Sequence, residues 1–283
     1  MLTRIISGLV MSVSIFALLF WCSWHYFAGF IVIVAFIGQD EYQRMAHPEA
    51  TLTHRLSMGL YTAILALSPL IAQLDIKTSL HVPLMISAWA VCFLLVAAKH
   101  LRKPLPLPKS AQRVGLDSLG ILYLGATLPG ILGLRLLDLE QGWAWVVLSM
   151  LITFGGDTGG YFAGRTLGGK LFGEKRLAPQ LSPKKTWEGY IGGVILGTSG
   201  AFLAQSQLAV CSSLTTIDCV VLGFLGVSLG VAGDLFESLM KRSAGVKDSG
   251  TLIPGHGGVL DRIDALLFVS PAVYLYLMVR LAS

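Results

Sequence analysis

Four aspartates lie inside or at the ends of long apolar runs. Asp157 lies in a glycine-rich stretch, Asp234 ends one apolar run, and Asp261 and Asp264 begin the last one. A carboxylate within a membrane-spanning segment is costly, so it marks a functional site or a specific partner by default. Hard oxygen ligands without a cluster of Cys or His favour Mg²⁺ over zinc. These residues therefore predict a magnesium-dependent site.

Helical spacing places other polar and small residues beside two of these aspartates. One face of the first helix carries Asp157, Gly160, Tyr161 and Gly164. One face of the second carries Asp234, Glu237, Ser238 and Lys241. Residues three and four apart share a helix face. The glycine face also fits a packing seam against another helix, or a homodimer seam.

The last aspartate pair follows a glycine-rich turn that contains His256, and Arg262 lies between its members. Carboxylates at a helix N-terminus are favoured by the helix dipole alone, so a capping role explains one of them. Two carboxylates with an adjacent arginine exceed what a cap requires. This segment is the third part of the predicted site.

The segment Ser182–Gly189 contains Lys184 and Lys185 beside hydroxyl side chains and a helix start. Such a segment can bind phosphate through charge-assisted hydrogen bonds. Basic loops at a membrane surface often look the same, so the segment alone is weak evidence. Together with the aspartates, it predicts a site for a metal-bound polyphosphate and phosphoryl-transfer chemistry.

The elements that must position these residues are apolar helices. The chain has 283 residues, of which 54% are hydrophobic and 13% charged, whereas soluble domains carry about 25% charged residues. A soluble domain, a disordered chain, a collagen and a coiled coil are thereby excluded. The sequence predicts an all-α, polytopic integral membrane protein. Nine runs approach the roughly 20 residues that a span needs: 5–21, 24–39, 57–74, 82–98, 114–134, 143–164, 189–208, 217–236 and 263–281.

The first two runs form one stretch without Lys, Arg, Asp or Glu from Ile5 to Gly38. Trp21, Trp24 and Tyr26 lie at its centre, as aromatic residues do at membrane interfaces. This position favours two short helices over one long tilted helix.

Basic residues are strongly biased to one side of this predicted topology. With nine spans, 18 of the 21 basic residues lie on one side, and Lys77, Arg135 and Arg280 lie on the other. The positive-inside rule places the basic side, the N-terminus and the predicted site in the cytoplasm. The net charge of +5 therefore needs no nucleic-acid partner.

The chain is predicted to be a single membrane domain, 1–283. Residues 1–140 are mainly hydrophobic spans, and residues 141–283 form the half that carries the polar motifs. Cys211 and Cys219 flank a short loop, where they are either buried thiols or a disulfide pair.

The segment 238–264 contains SLMKR, KDSG and IPGHGGVLDRID in this order. It resembles the signature of the phosphatidate cytidylyltransferase family, also called CDP-diacylglycerol synthases. Three further segments are similar to bacterial members: 155–164, 182–189 and 233–238. The resemblance covers the second half of the chain closely, and the first half only as hydrophobic spans.

Two departures from the family pattern are small. Thr158 and Gly160 occupy positions where Ser and Ala are expected, and Lys185 rather than Lys184 is the matching lysine.

The resemblance implies that CTP and phosphatidic acid react to CDP-diacylglycerol and pyrophosphate in a bacterial inner membrane. It implies Mg²⁺, with K⁺ beside it, as cofactor. The implied metal ligands are Asp157, Asp234, Asp261 and Asp264. The implied catalytic residues are Asp234, Asp261, Lys241 and Arg262. The implied substrate-binding residues are Ser182, Lys185, Thr186, Ser238, Arg242, Lys247, Asp248 and His256.

Two other classes of protein also place charges in membrane spans. A transporter would line both halves of a path with polar residues, whereas these cluster at one face. A CDP-alcohol phosphotransferase would show a D-G-x-x-A-R…G-x-x-x-D-x-x-x-D pattern, which this sequence lacks.

Overall fold

The computed structural model describes residues 2–74, 77–102, 106–173 and 175–282. Within these ranges the chain is almost entirely helical, as predicted. Its helices are α1 Leu2–Trp21, α2 Trp24–Ala46, α3 Leu52–Ala66, α4 His81–Arg102, α5 Leu107–Leu136, α6 Trp143–Leu167, α7 Trp187–Gln207, α8 Thr216–Ser243 and α9 Leu260–Ala282. Three short 3₁₀ segments cover Ser68–Gln73, Thr78–Leu80 and Ala209–Ser213.

Each predicted apolar run overlaps one of these helices, and α1 is separated from α2 by a break at residues 22 and 23. The two-helix interpretation of this stretch agrees with that break. The third run was placed too far along the chain. Its helix begins at Leu52, because the Thr51 hydroxyl accepts a hydrogen bond from the His54 backbone N–H at 3.3 Å. It ends at Ala66, before a 3₁₀ segment that contains a proline.

A two-stranded antiparallel hairpin was not predicted. It pairs β1 Arg176–Ala178 with β2 Ser182–Thr186, and Ala178 lies opposite Ser182. The Thr186 hydroxyl accepts a hydrogen bond from the Gly189 N–H at 3.0 Å, so β2 leads directly into the capped start of α7.

Four helices of the described ranges are long and apolar enough to cross a membrane. They are Thr78–Leu101, Leu107–Leu136, Thr216–Ser243 and Leu260–Leu281. In the first of these, only 11% of the most apolar window is buried within the protein. Such an exposed apolar surface suits contact with lipid. The count of nine spans and the side of the N-terminus stay predictions.

The chain divides into two compact units. The first unit runs to Leu132 and includes the returning segment Asp248–Leu260. The second unit consists of Gly133–Lys247 and continues from Asp261 to the end of the chain. A segment from the second half of the sequence therefore belongs to the first unit, and the single membrane domain stays a prediction.

The returning segment is fixed within the first unit by Glu41, a buried residue of α2. Its two carboxylate oxygens accept hydrogen bonds at 2.9 Å from the backbone N–H groups of Val259 and Leu260. The Ser249 hydroxyl donates a third at 3.1 Å. A carboxylate that satisfies two N–H groups at a helix start stabilises that start. The segment that carries most of the family signature is therefore held by a residue of α2.

In the second unit, α6 and α7 pack through glycines. A Cβ atom at Gly159 would lie 2.3 Å from the Gly192 carbonyl oxygen, and one at Gly192 would lie 2.3 Å from the Ala163 Cβ. These distances are shorter than any side chain tolerates, so glycine is required at both positions. The glycine-rich stretch therefore forms a packing seam within the chain. The homodimer stays a prediction.

Candidate active site

The second unit contains all four aspartates that the sequence singled out. Asp157 lies on α6, Asp234 on α8, and Asp261 and Asp264 on the first turns of α9. The charges of Asp234 and Asp264 both act on Asp157. That the four aspartates form one metal site stays a prediction.

Lys185 at the end of β2 forms an ion pair with Asp234. Its Nζ atom lies 2.8 Å from Oδ2 of Asp234. The Ser238 hydroxyl donates to the other oxygen, Oδ1, at 3.3 Å. The side chains of Lys185 and Asp234 are 22% and 34% exposed. Both groups are therefore accessible to a ligand.

Lys241 on α8 is held between two carboxylates. Its Nζ atom lies 2.6 Å from Oε2 of Glu237 and 2.6 Å from Oδ1 of Asp261. The three side chains are 11%, 1% and 5% exposed, respectively. A buried charge requires such partners, because removing one member leaves an uncompensated charge. This triad therefore joins α8 to the start of α9 rigidly.

Glu237 is the residue that the predicted site omitted. Its second oxygen, Oε1, is buried and has no hydrogen-bond partner among the described residues. The charge of Asp264 also acts on the Glu237 carboxylate. The sequence did contain a signal for it, because Glu237 and Lys241 are four residues apart on the helix face that carries Asp234.

A cavity of about 310 Å³ lies within the second unit, beside Asp157, Asp234 and Lys185. Its polar wall comes from Asp157, Asp234 and the lysine pair Lys184 and Lys185. Its remaining wall is mostly apolar or glycine. A charged end and an apolar wall suit an amphipathic molecule with an anionic group.

Glu188, a buried residue in the first turn of α7, binds the loop between α6 and the hairpin. Its Oε1 atom accepts hydrogen bonds from the N–H groups of Gly169, Leu171 and Phe172 at 3.0, 3.2 and 3.1 Å. This contact keeps the chain after α6 close to the start of α7, where Lys185 enters the cavity. Glu188 was not identified from the sequence, because nothing local marks the three N–H groups that it binds.

The remaining predicted site residues lie in several places. Ser182 begins β2, and Thr186 caps α7. Arg242, Lys247 and Arg262 are exposed residues of the second unit. Asp248 and His256 belong to the first unit.

Two of these side chains have contacts that explain their position. The Arg242 guanidinium donates to the carbonyl oxygen of Val246 at 2.9 Å, which closes the end of α8. The His256 Nδ1 atom lies 2.9 Å from the Ser7 hydroxyl oxygen, within the first unit. Their roles in substrate binding stay predictions.

The side chains of the second unit fit the chemistry of a hard divalent cation. All its acidic candidates offer oxygen atoms, which Mg²⁺ prefers. The charges of Glu237 and Asp264 repel each other, and the buried Oε1 atom of Glu237 has no hydrogen-bond partner among the described residues. A cation there would remove this repulsion. In the conformation described, no three Asp, Glu, His or Cys residues of the described ranges have metal-binding spacing. Lys185 and Lys241 instead neutralise Asp234 and Asp261.

Comparison with known proteins identifies a family over nearly the whole chain. The profile of the cytidylyltransferase family matches residues 2–280. Phosphatidate cytidylyltransferase of Haemophilus influenzae is 33% identical over 288 residues, which cover 95% of both chains. The protein of the same name from Brucella suis is 32% identical over 97% of this chain and 92% of its own length. That of Pseudomonas aeruginosa is 32% identical over 95% and 93%.

Proposed function

The chain belongs to the cytidylyltransferase family, and from this premise we propose that it is a phosphatidate cytidylyltransferase. The reaction joins CTP and phosphatidate to CDP-diacylglycerol and releases pyrophosphate. A phosphate oxygen of phosphatidate forms a bond to the α-phosphorus of CTP, and the bond from that phosphorus to the leaving pyrophosphate breaks. The observation that carries the proposal is the cavity that combines Asp157, Asp234 and Lys185 with an apolar wall.

Lys185 is the group best suited to bind a substrate phosphate. Its ammonium is partly exposed in the cavity, and its carboxylate partner, Asp234, is more exposed still. A phosphate can therefore replace or share that partner at small cost. Such a charge-assisted contact fixes the anion and offsets charge that develops in the transition state.

Lys241 acts differently, because its ammonium is already bound by two buried carboxylates. Its role in this proposal is to hold Asp261 and Glu237 in place. The charge of Lys241 also limits repulsion between carboxylates that would otherwise favour protonation. Lys241 is thus a positioning residue, whereas Lys185 contacts substrate.

We propose Mg²⁺ as the cofactor, held by carboxylates from the set Asp157, Asp234, Asp261 and Asp264, with Glu237 beside them. Bound Mg²⁺ would neutralise negative charge on the phosphate oxygens and would make the α-phosphorus more electrophilic. The chain's own contribution is the placement of oxygen atoms on α6, α8 and α9. K⁺ is proposed as a second cation on the family resemblance alone.

The protein is a membrane protein, and we propose the bacterial inner membrane with the active site on the cytoplasmic side. Two facts support this sidedness. The basic residues are concentrated on the side of the predicted topology that contains Lys185. CTP is a soluble cytoplasmic nucleotide, whereas phosphatidate is reached from the bilayer.

The direct test combines purified protein, phosphatidic acid and labelled CTP, with and without Mg²⁺. The proposal expects label in a chloroform-soluble lipid only when both substrates and Mg²⁺ are present. Flux of ions or solutes into liposomes that contain the protein, without labelled lipid, would instead show a transporter. Label transfer that requires CDP-diacylglycerol and an alcohol would show a phosphotransferase.

A further inference from the structure

A second cavity, of about 600 Å³, lies entirely within the first unit. Its wall comes from α3, α4, α5 and the loop that follows α2. The polar side chains that line it include His47, His54, Ser57, Lys99, His100 and Arg113. It shares no lining residue with the cavity around Asp157 and Asp234.

The three histidines converge on one carboxylate, that of Asp117, which is fully buried. The Nε2 atoms of His47 and His54 both lie 3.2 Å from Oδ1, and that of His100 lies 2.7 Å from Oδ2. Both oxygens of Asp117 are therefore surrounded by imidazole rings. Asp117 itself does not line the cavity, and the rings lie between its charge and any occupant.

Lys99, near the end of α4, brings a positive charge to this cavity. Its Nζ atom donates a hydrogen bond to the Ser57 hydroxyl at 2.7 Å. Of the residues that the structure describes, no carboxylate forms an ion pair with Lys99. Removing an ammonium from water is costly unless a counter-charge replaces the lost solvation. The charge of the buried Asp117 acts on Lys99 from beyond ion-pair distance, and an anion in the cavity would supply a direct counter-charge.

Arg113 provides a second cation at the same cavity. Its guanidinium pairs with Glu49, which also lines the cavity and whose side chain is 67% exposed. An arginine has five N–H donors, so one carboxylate at the rim leaves others for a second anion. Planar guanidinium groups bind phosphate oxygens in pairs, which gives Arg113 a preference for this anion.

Basic residues near helix ends are common at a membrane surface. That general role does not explain why Lys99 and Arg113 line the same cavity. Lys109, in the first turn of α5, is exposed and lines neither cavity, which the positive-inside rule alone explains. Lys99 and Arg113 instead line one cavity with hydroxyl and imidazole groups. Tyr61 and Leu95 add an apolar part to that wall. Such a combination suits a phosphate group attached to an apolar body.

We propose that this cavity binds a phosphomonoester anion, with Lys99 and Arg113 as its charged contacts and Ser57 and the three histidines as further hydrogen-bonding groups. Phosphatidate in the bilayer and soluble inorganic phosphate both offer this chemistry. The site is separate from the proposed catalytic cavity, and its occupancy does not depend on turnover.

Equilibrium dialysis of the purified full-length protein with labelled dioctanoyl phosphatidate tests the site. CTP and Mg²⁺ are omitted so that no product forms. Replacing Lys99→Gln or Arg113→Gln should weaken binding about tenfold or more, since each removes a charge-assisted contact. Lys99→Arg should restore most of the affinity, and Lys109→Gln should leave it unchanged. The Ser57→Ala variant should still bind, because the charge of Lys99 remains.

Binding at the second cavity is distinguished from binding at the catalytic cavity by measuring the same variants in a Lys185→Ala background. The proposal expects binding to persist in Lys185→Ala and to weaken when Lys99→Gln is added. Loss of all binding with Lys185→Ala alone, or unchanged affinity with Lys99→Gln, would overturn it. Neither result depends on the cytidylyltransferase activity, which is measured separately.

Competition identifies the source of the anion. Displacement of labelled phosphatidate by an equal concentration of inorganic phosphate assigns the site to soluble phosphate. Displacement only at a far higher phosphate concentration assigns it to the lipid headgroup. Equal displacement by dioctanoyl phosphatidylcholine, a zwitterionic phosphodiester, would contradict a phosphomonoester site.

Matching size-exclusion profiles ensure that each variant compared is folded.

Discussion

The carboxylate of Glu41 accepts a hydrogen bond from the backbone N–H of Leu260, the first residue of α9. These residues are 219 positions apart in the chain. The same carboxylate binds the Val259 N–H and the Ser249 hydroxyl, so it determines how the chain enters the helix that carries Asp261 and Asp264. The start of α9 is thereby held by a residue from the first half of the chain.

Replacing Glu41→Ala should therefore lower both stability and turnover. It removes the acceptor of the buried Leu260 N–H, the half-buried Val259 N–H and the Ser249 hydroxyl, and a buried donor left unsatisfied costs about 1–3 kcal/mol. We expect a lower Tm in detergent and a fall in kcat for CTP incorporation. Glu140→Gln, at an exposed position, serves as the control and should change neither. An unchanged Tm for Glu41→Ala would show that the segment does not depend on this contact.

Gly258→Ala tests the same contact between Glu41 and the segment before α9, by changing the segment instead of Glu41. A Cβ atom at this position would lie 2.3 Å from the Ser249 hydroxyl and 2.5 Å from both carboxylate oxygens of Glu41. The added methyl group should separate these partners and reproduce the losses of Glu41→Ala in Tm and turnover. Gly115→Ala is the matched control, since a Cβ there meets no atom within 4 Å. Normal turnover of Gly258→Ala would show that Glu41, Ser249 and Gly258 are not tightly packed.

Lys185→Ala should reduce kcat/KM for CTP more strongly than Lys184→Ala. Both lysines line the cavity, but Lys185 alone forms an ion pair with Asp234. Loss of one charge-assisted phosphate contact costs about 1.5–3 kcal/mol, or roughly ten- to a hundredfold in kcat/KM. Steady-state kinetics with labelled CTP measures both variants. Equal losses would indicate a general electrostatic effect of the segment rather than one specific contact.

Asp261→Asn should abolish turnover and raise the Mg²⁺ concentration needed for any residual activity. The substitution keeps the size of the side chain and deletes its charge, while Glu237 still neutralises Lys241. We therefore expect expression and Tm to change much less than activity. Turnover measured across a Mg²⁺ titration gives both quantities. Near-normal turnover with an unaltered Mg²⁺ requirement would make Asp261 a helix cap and refute the metal site.

The predicted topology can be tested by labelling single cysteines in a cysteine-free background. Lys109→Cys and Thr251→Cys introduce exposed thiols on the predicted cytoplasmic side, and Ser213→Cys introduces one on the opposite side. An impermeant maleimide added to intact cells should label only the last. Labelling of Lys109→Cys or Thr251→Cys from outside would reverse the orientation or change the number of spans.

The sequence by itself determined the helices and the chemistry of the proposed active site. Apolar runs of membrane-spanning length define helices locally, because a backbone in lipid must satisfy its own hydrogen bonds. Aspartates within such runs are costly, so their presence alone marked Asp157 and Asp234 as functional candidates. The pairing of Glu237 with Lys241 was also readable, since residues four apart meet on any helix.

Only the tertiary structure decided which distant groups meet. The convergence of His47, His54 and His100 on Asp117 depends on how three helices and a loop pack. The hydrogen bond between Glu41 and Leu260 depends on a segment of the second half returning to the first unit. Helix periodicity fixes neighbours within a turn or two, whereas the partners of a buried charge are fixed by packing between helices far apart in sequence.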